Sequence, residues 1–410
     1  MNTSDRPVPV GGPIVTPAVV VSFGLAALAM VLIFWRAVAG LGATTAMNDG
    51  YPWGLWIAFD VVTGTALGCG GYAIALLVYI LNRGEYHALV RPALLTSALG
   101  YSIAGFSVLI DLGRPWLTWR IPVDLGNWNG DSVLLEVALC IMGYSMVLWL
   151  ELSPAFLERA EASSSPFLQR LGRGLLPVIR KSLLWVIALG ILLPTMHQSS
   201  LGALLLLSGP RLHGLWNTPL LPLLFLMSAV FMGYGAVVVE GALSSRVFGR
   251  KPEGEMLAGL GRVLLPLLGA FITIRIVDLA VRGHVEGLIP FDGTGAMWLL
   301  EIALFVAAAA MMRSDAARRD LGNLFRAALL LLFAGALYRF DVYLLAFSPG
   351  PHWTYFPNVN EILITVGLVA GEVGAYIVCV RVFPILAGRP QQDRLEDEIP
   401  AHPRGARGLS

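Results

Sequence analysis

Nine of the acidic residues within, or at the edges of, the long apolar stretches of this 410-residue chain are candidates for chemistry at membrane depth. A carboxylate at membrane depth is costly, so it usually faces a bundle interior or a water-filled cavity and marks a pathway or a site. Carboxyls in this setting indicate a protein that handles protons, ions or a protonatable substrate. The nine residues are Asp60, Asp111, Glu136, Glu240, Asp278, Glu301, Asp341, Glu361 and Glu372.

One group of titratable residues is predicted to meet in the outer half of the membrane. At a rise of 1.5 Å per residue, Asp60 and Glu136 lie about five residues inside their helices, and Tyr101 and His197 about ten. Asp111 lies at the outer rim and is equally well explained as an ion-paired helix-end residue. Tyr101 has the alternative of a packed aromatic with a bonded hydroxyl. For Glu136 and His197 we expect function, because ionisable groups buried in membranes are rarely idle.

A second group falls at a similar depth later in the chain and comprises Arg275, Asp278, Glu301, Arg339 and Asp341. Two arginines beside three acids form a neutralised ion-pair network, which can be purely structural. The same residues also suit a proton pathway. The sequence leaves both interpretations open.

Two further glutamates have no evident partner. Glu240 lies about three residues from the inner end of its helix, with no cation at its level. Such a carboxylate is expensive unless water reaches it, which predicts a cytoplasmic mouth for protons. The alternative is that Glu240 only extends its side chain to the interface. Glu372 lies in the middle of the last span. We expect a proton path from Glu240 past Arg275 towards the outer half.

The elements that position these residues are long apolar helices. The composition is 56% hydrophobic and 13% charged, with a mean hydropathy of +0.72. Because about 20 apolar residues span a bilayer core, and backbone in lipid must satisfy its own hydrogen bonds, we predict an all-α, polytopic membrane protein with ten transmembrane helices. The predicted spans are 17–35, 55–81, 90–112, 131–152, 180–207, 219–243, 262–282, 295–312, 324–347 and 361–385.

Basic residues set the predicted orientation. Most of the 28 Lys and Arg residues fall in the N-terminal segment, the even-numbered loops and the tail. By the positive-inside rule, both chain ends are therefore expected on the cytoplasmic side. The first helix lacks a small-residue cleavage site and is interpreted as a retained span.

Cysteine and histidine placement argues against metal cofactors. Cys69, Cys140 and Cys379 fall within spans without a CxxC spacing, so no iron–sulfur cluster is expected in this chain. A bis-histidine haem needs two histidines at one depth on facing helices. Only His197 lies well inside a span, and the others fall in loops, at a helix end or in the tail (His402). We therefore expect no haem.

A short repeat predicts two bundles. LLEVAL at 134–139 recurs as LLEIAL at 299–304, and both copies open a helix from the outer side. The repeat is therefore parallel, about an axis along the membrane normal. The predicted units are 1–54 with the first helix, a first four-helix bundle at 55–207, and a second at 208–347. The tenth helix at 348–385 and a tail at 386–410, predicted to be disordered, complete the chain.

The outer loops are rich in aromatics, Pro and Gly. The segments are YPWGLW at 51–56, RPWLTWRIP at 114–122 and PGPHWTYFP at 349–357. An interfacial belt explains part of this density. The rest predicts a docking platform for a partner on the outer face.

Several of these segments resemble a known family. YPWGLWIAFD (51–60), NRGEYHALVRPALL (82–95), LPTMHQSS (193–200) and YFPNVNEILI (355–364), with the span around Glu136, resemble the NrfD/polysulfide-reductase membrane subunits, in particular those of respiratory NiFe-hydrogenases. The resemblance covers nearly the whole chain. It implies two four-helix bundles, no haem or metal, and electron exchange between quinone and an outer-face ferredoxin-like iron–sulfur subunit.

The resemblance also implies roles for residues. Tyr101, Glu136, His197, Glu240 and Arg275 match positions implicated in quinone or proton handling in the family, and Asp60 falls in a block near its quinone pocket. Proton delivery suits Glu136 and Asp60, and hydrogen bonding to the quinone carbonyls suits His197 and Tyr101. The candidate proton pathway comprises Glu240, Arg275, Asp278, Glu301 and Glu372.

The predicted function is that of a quinone-reactive subunit of a periplasm-facing NiFe-hydrogenase in a bacterial inner membrane. Its substrate is menaquinone or ubiquinone, and its partners are a periplasmic ferredoxin-like iron–sulfur subunit, the small and large hydrogenase subunits and membrane lipid, with no nucleic acid. The chain alone lacks the hydrogen-activating site. One alternative is a quinol-oxidising subunit of a polysulfide- or molybdenum-type reductase. From another class, buried carboxyls and a repeat also suit an ion-coupled transporter.

Overall fold

The chain is a bundle of long helices. The computed structural model describes residues 7–51, 53–250, 253–288 and 293–387; within these ranges it contains no β-strand. Ten helices are long and apolar enough to cross a membrane, which confirms the predicted all-α class. The tail from 388 onwards, with His402, lies outside the described residues. The helices are α1 Pro17–Ala39, α2 Trp56–Ile80, α3 Gly84–Asp111, α4 Val133–Glu161, α5 Pro166–Leu206, α6 Leu221–Val247, α7 Gly254–Val281, α8 Gly293–Met311, α9 Leu321–Leu345 and α10 Val359–Val382.

Polar caps fix several helix starts. The Thr16 side chain accepts a bond from the Val19 amide ahead of α1, and Ser132 accepts from Leu135 at the start of α4. Helix α10 begins with a reciprocal capping box between Asn358 and Glu361. These side chains satisfy amides that have no partner within the helix, so each span begins at a defined residue.

Helix α4 extends beyond its predicted end at 152, and helix α5 begins before its predicted start at 180. Helix α5 has 41 residues, a length of about 60 Å, whereas a bilayer core is about 30 Å thick. The α4–α5 hairpin therefore projects on the side that carries the basic loops. The hydropathy pattern missed these turns because they are amphipathic, and Glu158 in this region pairs with Arg91 at 2.8 Å and Arg180 at 3.5 Å.

Helix α2 is irregular along its whole length. It begins with π-helical geometry at Trp56–Thr63, becomes α-helical, breaks at Gly68–Cys69, and ends in a second π-helical stretch at Leu76–Ile80. A Cβ atom on Gly233 of α6 would lie 2.5 Å from the Cys69 carbonyl oxygen. Backbone therefore packs directly on backbone at this break. Interruptions of this kind often occur at functional sites.

Helix α6 is central and packs against α2, α5, α7 and α9. Helices α1 and α10 pair along their length, and α10 also packs on α3. The amide of Val8 donates to Leu386 and that of Val10 to Val380, both at 3.0 Å. The described ends of the chain therefore lie on the same side. The division into two repeated bundles, 55–207 and 208–347, stays a prediction.

Candidate functional site

A cavity of about 480 Å³ lies between α2, α3, α6 and α10. We call this cavity the slot. Four of its apolar lining residues, Leu243, Val247, Val369 and Val373, are also exposed on the surface of α6 and α10. The slot therefore opens between these two helices onto the surface that faces lipid. Its polar lining includes Asp60, Glu240, Glu372 and Tyr376.

Asp60 lies on the slot wall formed by the π-helical start of α2. Its side chain is buried, and one carboxyl oxygen accepts hydrogen bonds from Ser107 at 3.0 Å and Thr365 at 3.2 Å. The other oxygen is buried without a partner. Three helices thus fix the carboxyl, and one of its oxygens stays available to a ligand.

Glu240 lines the slot nearer its inner end. It accepts a hydrogen bond from the Tyr376 hydroxyl of α10. The expectation of no cation at its level was wrong, because Arg250 lies near enough to interact with Glu240. That guanidinium, however, pairs with Glu253 at 3.1 Å. Glu240 is therefore held by a hydroxyl and not by a salt bridge.

Glu372 lies between the two. It is one helical turn before Tyr376 on α10 and makes no hydrogen bond or ion pair with any described residue. A Cβ atom on Gly100 of α3 would lie 3.5 Å from one of its carboxyl oxygens. The predicted residues Asp60, Glu240 and Glu372 therefore meet in one cavity, although they belong to three different helices.

Tyr101 and His197 lie outside the slot, in a sealed polar cluster that we call the Tyr101 cluster. Both side chains are fully buried. The Tyr101 hydroxyl accepts from the Gln198 amide at 3.0 Å and contacts the Cys69 sulfur at 3.7 Å. Tyr144 stacks edge-on against Tyr101 with ring centroids 4.5 Å apart. Both ring nitrogens of His197 are buried without a hydrogen-bond partner.

Arg339 of α9 joins this cluster to the rest of the protein. Its guanidinium donates to Gln198 at 2.8 Å, Ser228 at 3.0 Å and the carbonyls of Phe225 and Val62 at 2.7 and 2.5 Å. All four acceptors are neutral. Arg339 is therefore a positively charged connector of α2, α5, α6 and α9, and not a member of the expected network with Glu301.

Only a thin wall separates the slot from the Tyr101 cluster. Gly68 lines the slot, and a Cβ atom on it would lie 3.4 Å from the Tyr101 ring. A Cβ atom on Gly100 would lie 3.6 Å from the Cα atom of Gly68. The two glycines leave a wall one backbone thick, so Tyr101 borders the slot without touching its interior. His197 lies behind it, with the two ring centroids 5.7 Å apart.

The second group predicted from sequence divides into two parts. Arg275 pairs with Glu301 at 2.5 Å, and Trp216 donates to the same carboxyl at 3.1 Å. Asp341 lies against Glu301. Asp278 instead pairs with Arg282 at 2.8 Å, and Arg282 donates to loop carbonyls. Neither part lines the slot, so the structure does not place Arg275 on a route from Glu240.

Glu136 and Asp111 lie near the outer rim. Glu136 is half-exposed on the first turn of α4, with no described partner, and lies in neither the slot nor the Tyr101 cluster. The carboxyl of Asp111 interacts with Arg36 of α1. The structure therefore does not bring Glu136 together with His197 and Tyr101 as expected.

Sequence reasoning overlooked Gln198, Tyr376 and Glu151. Tyr376 follows Glu372 by one helical turn, a spacing that places both side chains on one face of the helix and could have been noticed. Gln198 is the polar residue next to His197 in LPTMHQSS. Glu151 was passed over because the predicted span ended at 152. It lies well inside α4, against Gly190 of α5.

The aromatic outer loops divide into buried and exposed segments. Trp53 and Trp56 of YPWGLW point inwards and donate to the carbonyls of Tyr343 and Glu361. In RPWLTWRIP, by contrast, Trp116 is 68% exposed and Trp119 61%. Only part of the predicted docking platform is therefore available to a partner.

Tyr355 explains why the loop from 349 to 357 is partly buried. Its hydroxyl donates to Glu361 at 2.6 Å and accepts from the Leu55 amide at 2.7 Å. Burial raises the pKa of Tyr355 well above its ordinary value, and the Glu361 carboxyl adds to the rise. The hydroxyl thus stays protonated and ties this loop to the start of α2, while Phe356 remains 81% exposed.

Comparison with known proteins identifies the family. The family described as "Polysulphide reductase, NrfD" matches residues 43–340. A relative from Escherichia coli (strain K12), "Probable Ni/Fe-hydrogenase 2 b-type cytochrome subunit", is 41% identical over 96% of this chain and 99% of its own length. The chain belongs to the NrfD family of membrane subunits, as its motifs indicated.

Two relatives come from Nitratidesulfovibrio vulgaris strain Hildenborough. One, described only as "Protein", is 33% identical over 92% of this chain and 96% of its own length. The other, "Menaquinone reductase, integral membrane subunit", is 29% identical over 60% of this chain and 58% of its own. Similarity therefore extends beyond hydrogenase to a quinone-linked membrane subunit.

The expectation of no haem is contradicted by these comparisons. The E. coli relative is named a b-type cytochrome subunit, and that name implies haem. The described residues do not supply a bis-histidine site for it. His197 is the one fully buried histidine among them, and no second histidine faces it. Within the same ranges, no group of three or more His, Cys, Asp or Glu side chains is placed to hold a metal ion.

Proposed function

We propose that this chain is the quinone-reactive membrane subunit of a NiFe-hydrogenase complex. The 41% identity to a hydrogenase 2 subunit, over nearly the full length of both chains, supports the hydrogenase assignment. The similarity to a menaquinone reductase subunit supports quinone as the electron acceptor. The observation that carries the proposal is a lipid-facing apolar slot lined by three carboxyls.

The slot suits a prenylated quinone. Its volume of about 480 Å³ falls within the usual range for small-molecule sites, which are mostly apolar with a few polar groups. The exposed residues of α6 and α10 give the quinone an entrance directly from lipid. The head group lies at Asp60, and the isoprenoid tail leaves between α6 and α10.

Asp60 is the proposed proton donor. Reduction of a quinone to a quinol consumes two electrons and two protons, so a carboxyl at the ring provides a proton as charge builds on the carbonyl oxygen. The unpartnered oxygen of Asp60 is available for this bond, while Ser107 and Thr365 orient the other. Glu372 and Glu240 line the same cavity and reload Asp60. This route replaces the one past Arg275.

The remaining sequence candidates take different roles. Tyr101 and His197 stabilise the thin wall behind the quinone and act on it through Gly68 instead of touching it. Arg275 and Glu301 hold α7 against α8, and Asp278 orients Arg282 towards the loop that precedes α6. Glu136, at the outer rim, takes no part in the slot.

The partner binds on the outer face. Exposed Trp116 and Trp119 offer large apolar surfaces for a ferredoxin-like iron–sulfur subunit, which brings electrons from the small and large hydrogenase subunits. This orientation places both chain ends in the cytoplasm and the complex in a bacterial inner membrane. The chain itself lacks the hydrogen-activating centre.

A second candidate function uses the same site in the opposite direction. The family description names polysulfide reductase, and a subunit of such a complex oxidises quinol. The slot serves either direction, because a carboxyl that donates a proton to quinone also accepts one from quinol.

One experiment tests both. The chain is purified from native membranes with its partners, the subunits are identified by mass spectrometry, and hydrogen-dependent reduction of a menaquinone analogue is measured. We expect hydrogenase subunits and quinone reduction. Co-purification of a molybdenum-type reductase, with quinol oxidation, would favour the second function. A purified complex with neither quinone reduction nor quinol oxidation would contradict both functions.

A further inference from the structure

A second cavity, of about 280 Å³, lies between α2, α3, α4 and α5. We call it the inner cavity, because Pro7, His87 and Arg180 line it and belong to the side of the protein that carries the chain ends and basic loops. It shares no lining residue with the slot. Its titratable lining residues are Tyr79, His87, Arg91, Glu151, Glu158 and Arg180.

Glu151 differs from the other charged residues of the inner cavity. Arg91 and Arg180 both pair with Glu158, and Arg91 also donates to the Pro384 carbonyl at 2.9 Å. Glu151 makes no ion pair or hydrogen bond with any described residue. A carboxyl at this depth without a partner needs either water or a proton. The inner cavity provides access to both.

The neighbouring helix is shaped around this carboxyl. A Cβ atom on Gly190 of α5 would lie 2.6 Å from one oxygen of Glu151, so any larger residue there would displace the carboxyl. Pro194, four residues later within α5, has no amide to bond to the Gly190 carbonyl. Glu151 thus packs against the turn of α5 at which Pro194 removes one backbone donor.

The inner cavity is aligned with the Tyr101 cluster. Tyr144 precedes Glu151 by seven residues, and His197 follows Gly190 by seven; a spacing of two turns keeps each pair on one helix face, about 10 Å apart. Tyr79 and Tyr72 of α2 have the same spacing in sequence. The residues at the outer end of these spacings contact one another or their neighbours: the Tyr72 hydroxyl bonds Thr195 at 2.8 Å, and Tyr144 packs against Tyr101.

We propose that Glu151 is the proton-loading carboxyl of a second proton route, separate from the slot. A hydronium in the inner cavity transfers its proton to the Glu151 carboxylate, giving a carboxylic acid and water. The acid then passes the proton outwards along water to the hydroxyls of Tyr144 and Tyr72, which release their own protons as they accept one, and Glu151 returns to carboxylate. The relayed proton ends on an unpartnered ring nitrogen of His197, which becomes an imidazolium. The gap of about 10 Å matches a chain of about three waters at ~2.8 Å spacing.

The destination of these protons rests on the proposed function. Through the wall at Gly68, the Tyr101 cluster borders the slot where quinone is reduced. Protons from the basic side therefore load the Tyr101 cluster, one backbone away from the quinone, where their positive charge offsets the negative charge that builds on the ring. Glu240 and Glu372 supply the protons that bind to the quinone through the slot.

The first test does not depend on quinone. Dicyclohexylcarbodiimide modifies protonated carboxyls in apolar surroundings, and peptide mapping by mass spectrometry locates the adduct in the whole complex. We expect modification at Glu151 and none at the ion-paired Glu158. An unmodified Glu151 would overturn the proposal even if the complex reduced quinone normally.

The second test measures turnover in proteoliposomes. Glu151→Gln keeps the shape of the carboxyl but cannot carry a proton, and Gly190→Ala displaces it. We expect hydrogen-to-quinone turnover to fall about tenfold or more in both, with hydrogen-dependent dye reduction unchanged. Glu161→Gln and Gly174→Ala serve as controls on the same two helices, since a Cβ atom on Gly174 meets no atom within 4 Å.

The outcomes separate this route from the slot. Wild-type turnover in Glu151→Gln, alongside loss of turnover in Asp60→Asn, would overturn the Glu151 route and leave the proposed function intact. If the wild-type complex reduces no quinone, the proposed function fails, and labelling at Glu151 then decides the proton route alone. If Glu151→Gln fails to assemble, Gly190→Ala and the labelling decide it.

Discussion

The matched glutamates of the repeated LLE motif have different surroundings. Glu301 is fully buried and bonded to Arg275 and Trp216, whereas Glu136 is half-exposed at the outer rim without a partner. Position in the repeat therefore did not predict the surroundings of either glutamate. Glu301 is consequently a poor control for a Glu136 variant, because its loss leaves a buried arginine unpaired.

Glu301→Gln should destabilise the protein. Removing one partner of a buried ion pair costs about 3–5 kcal/mol, because the remaining charge is uncompensated. We expect a lower unfolding temperature in detergent, measured by intrinsic fluorescence. The double variant Arg275→Met with Glu301→Leu should recover most of the loss. A single variant as stable as the wild type would contradict the structural role.

Asp60→Asn should abolish proton donation while keeping the site intact. The asparagine carbonyl can still accept from Ser107 and Thr365, so folding and assembly should be unchanged. We expect hydrogen-to-quinone turnover to fall about a hundredfold, with dye reduction as the control. Turnover near the wild-type rate would exclude Asp60 as the donor.

The sequence identified the individual acids but not which of them meet. The cost of a carboxyl in lipid was enough to single out Asp60, Glu240 and Glu372. Their helices are far apart in the chain, and only tertiary packing brings α2, α6 and α10 around one slot. Hydropathy alone could not show that Gly68 separates Tyr101 from that slot.

At the scale of the elements, the irregular helix α2 positions the site. The ten spans were predictable because each contains a long apolar window. The break at Gly68–Cys69 depends instead on contact with α6, and the π-helical start of α2 packs on α3 and α9. Sequence patterns do not show such tertiary contacts. The early start of α5 was missed because its first turns are amphipathic and lie beyond the membrane.

Gly233→Ala tests the packing of α6 on this break. The new Cβ atom would lie 2.5 Å from the Cys69 carbonyl oxygen, and overpacking of this kind typically costs about 1–3 kcal/mol. We expect a lower unfolding temperature together with reduced quinone turnover. Gly269→Ala is the matched control, since it meets no atom within 4 Å. Equal stability of the two variants would mean that α6 does not brace the break.

At the scale of the whole molecule, the protein is organised in layers across the membrane. Exposed tryptophans lie on the outer face, the slot and the Tyr101 cluster within the bilayer, and the inner cavity on the basic side. In the proposed function, partner, quinone and protons thus approach from three different directions. Such a layout suits a subunit that connects an outer-face electron source to a membrane-soluble acceptor.

Replacing the exposed aromatics tests the docking face. Trp116→Ala with Trp119→Ala should weaken binding of the iron–sulfur subunit by about 2 kcal/mol or more, if these side chains are anchors of the interface. The expected result is loss of partner subunits during purification, with the chain itself still folded. Phe23→Ala, a lipid-facing change on α1, is the control. Intact co-purification would place the interface elsewhere.

The position of the quinone is the central claim, and photolabelling measures it directly. The active complex is illuminated with an azido-quinone, with and without excess menaquinone analogue, and labelled peptides are located by mass spectrometry. We predict labelling of α3 around Thr96–Ile103 and of α10 around Val369–Ile377, suppressed by the competitor. Competitor-sensitive labelling confined to the outer part of α7 or α8, near Arg275 and Glu301, would contradict the account.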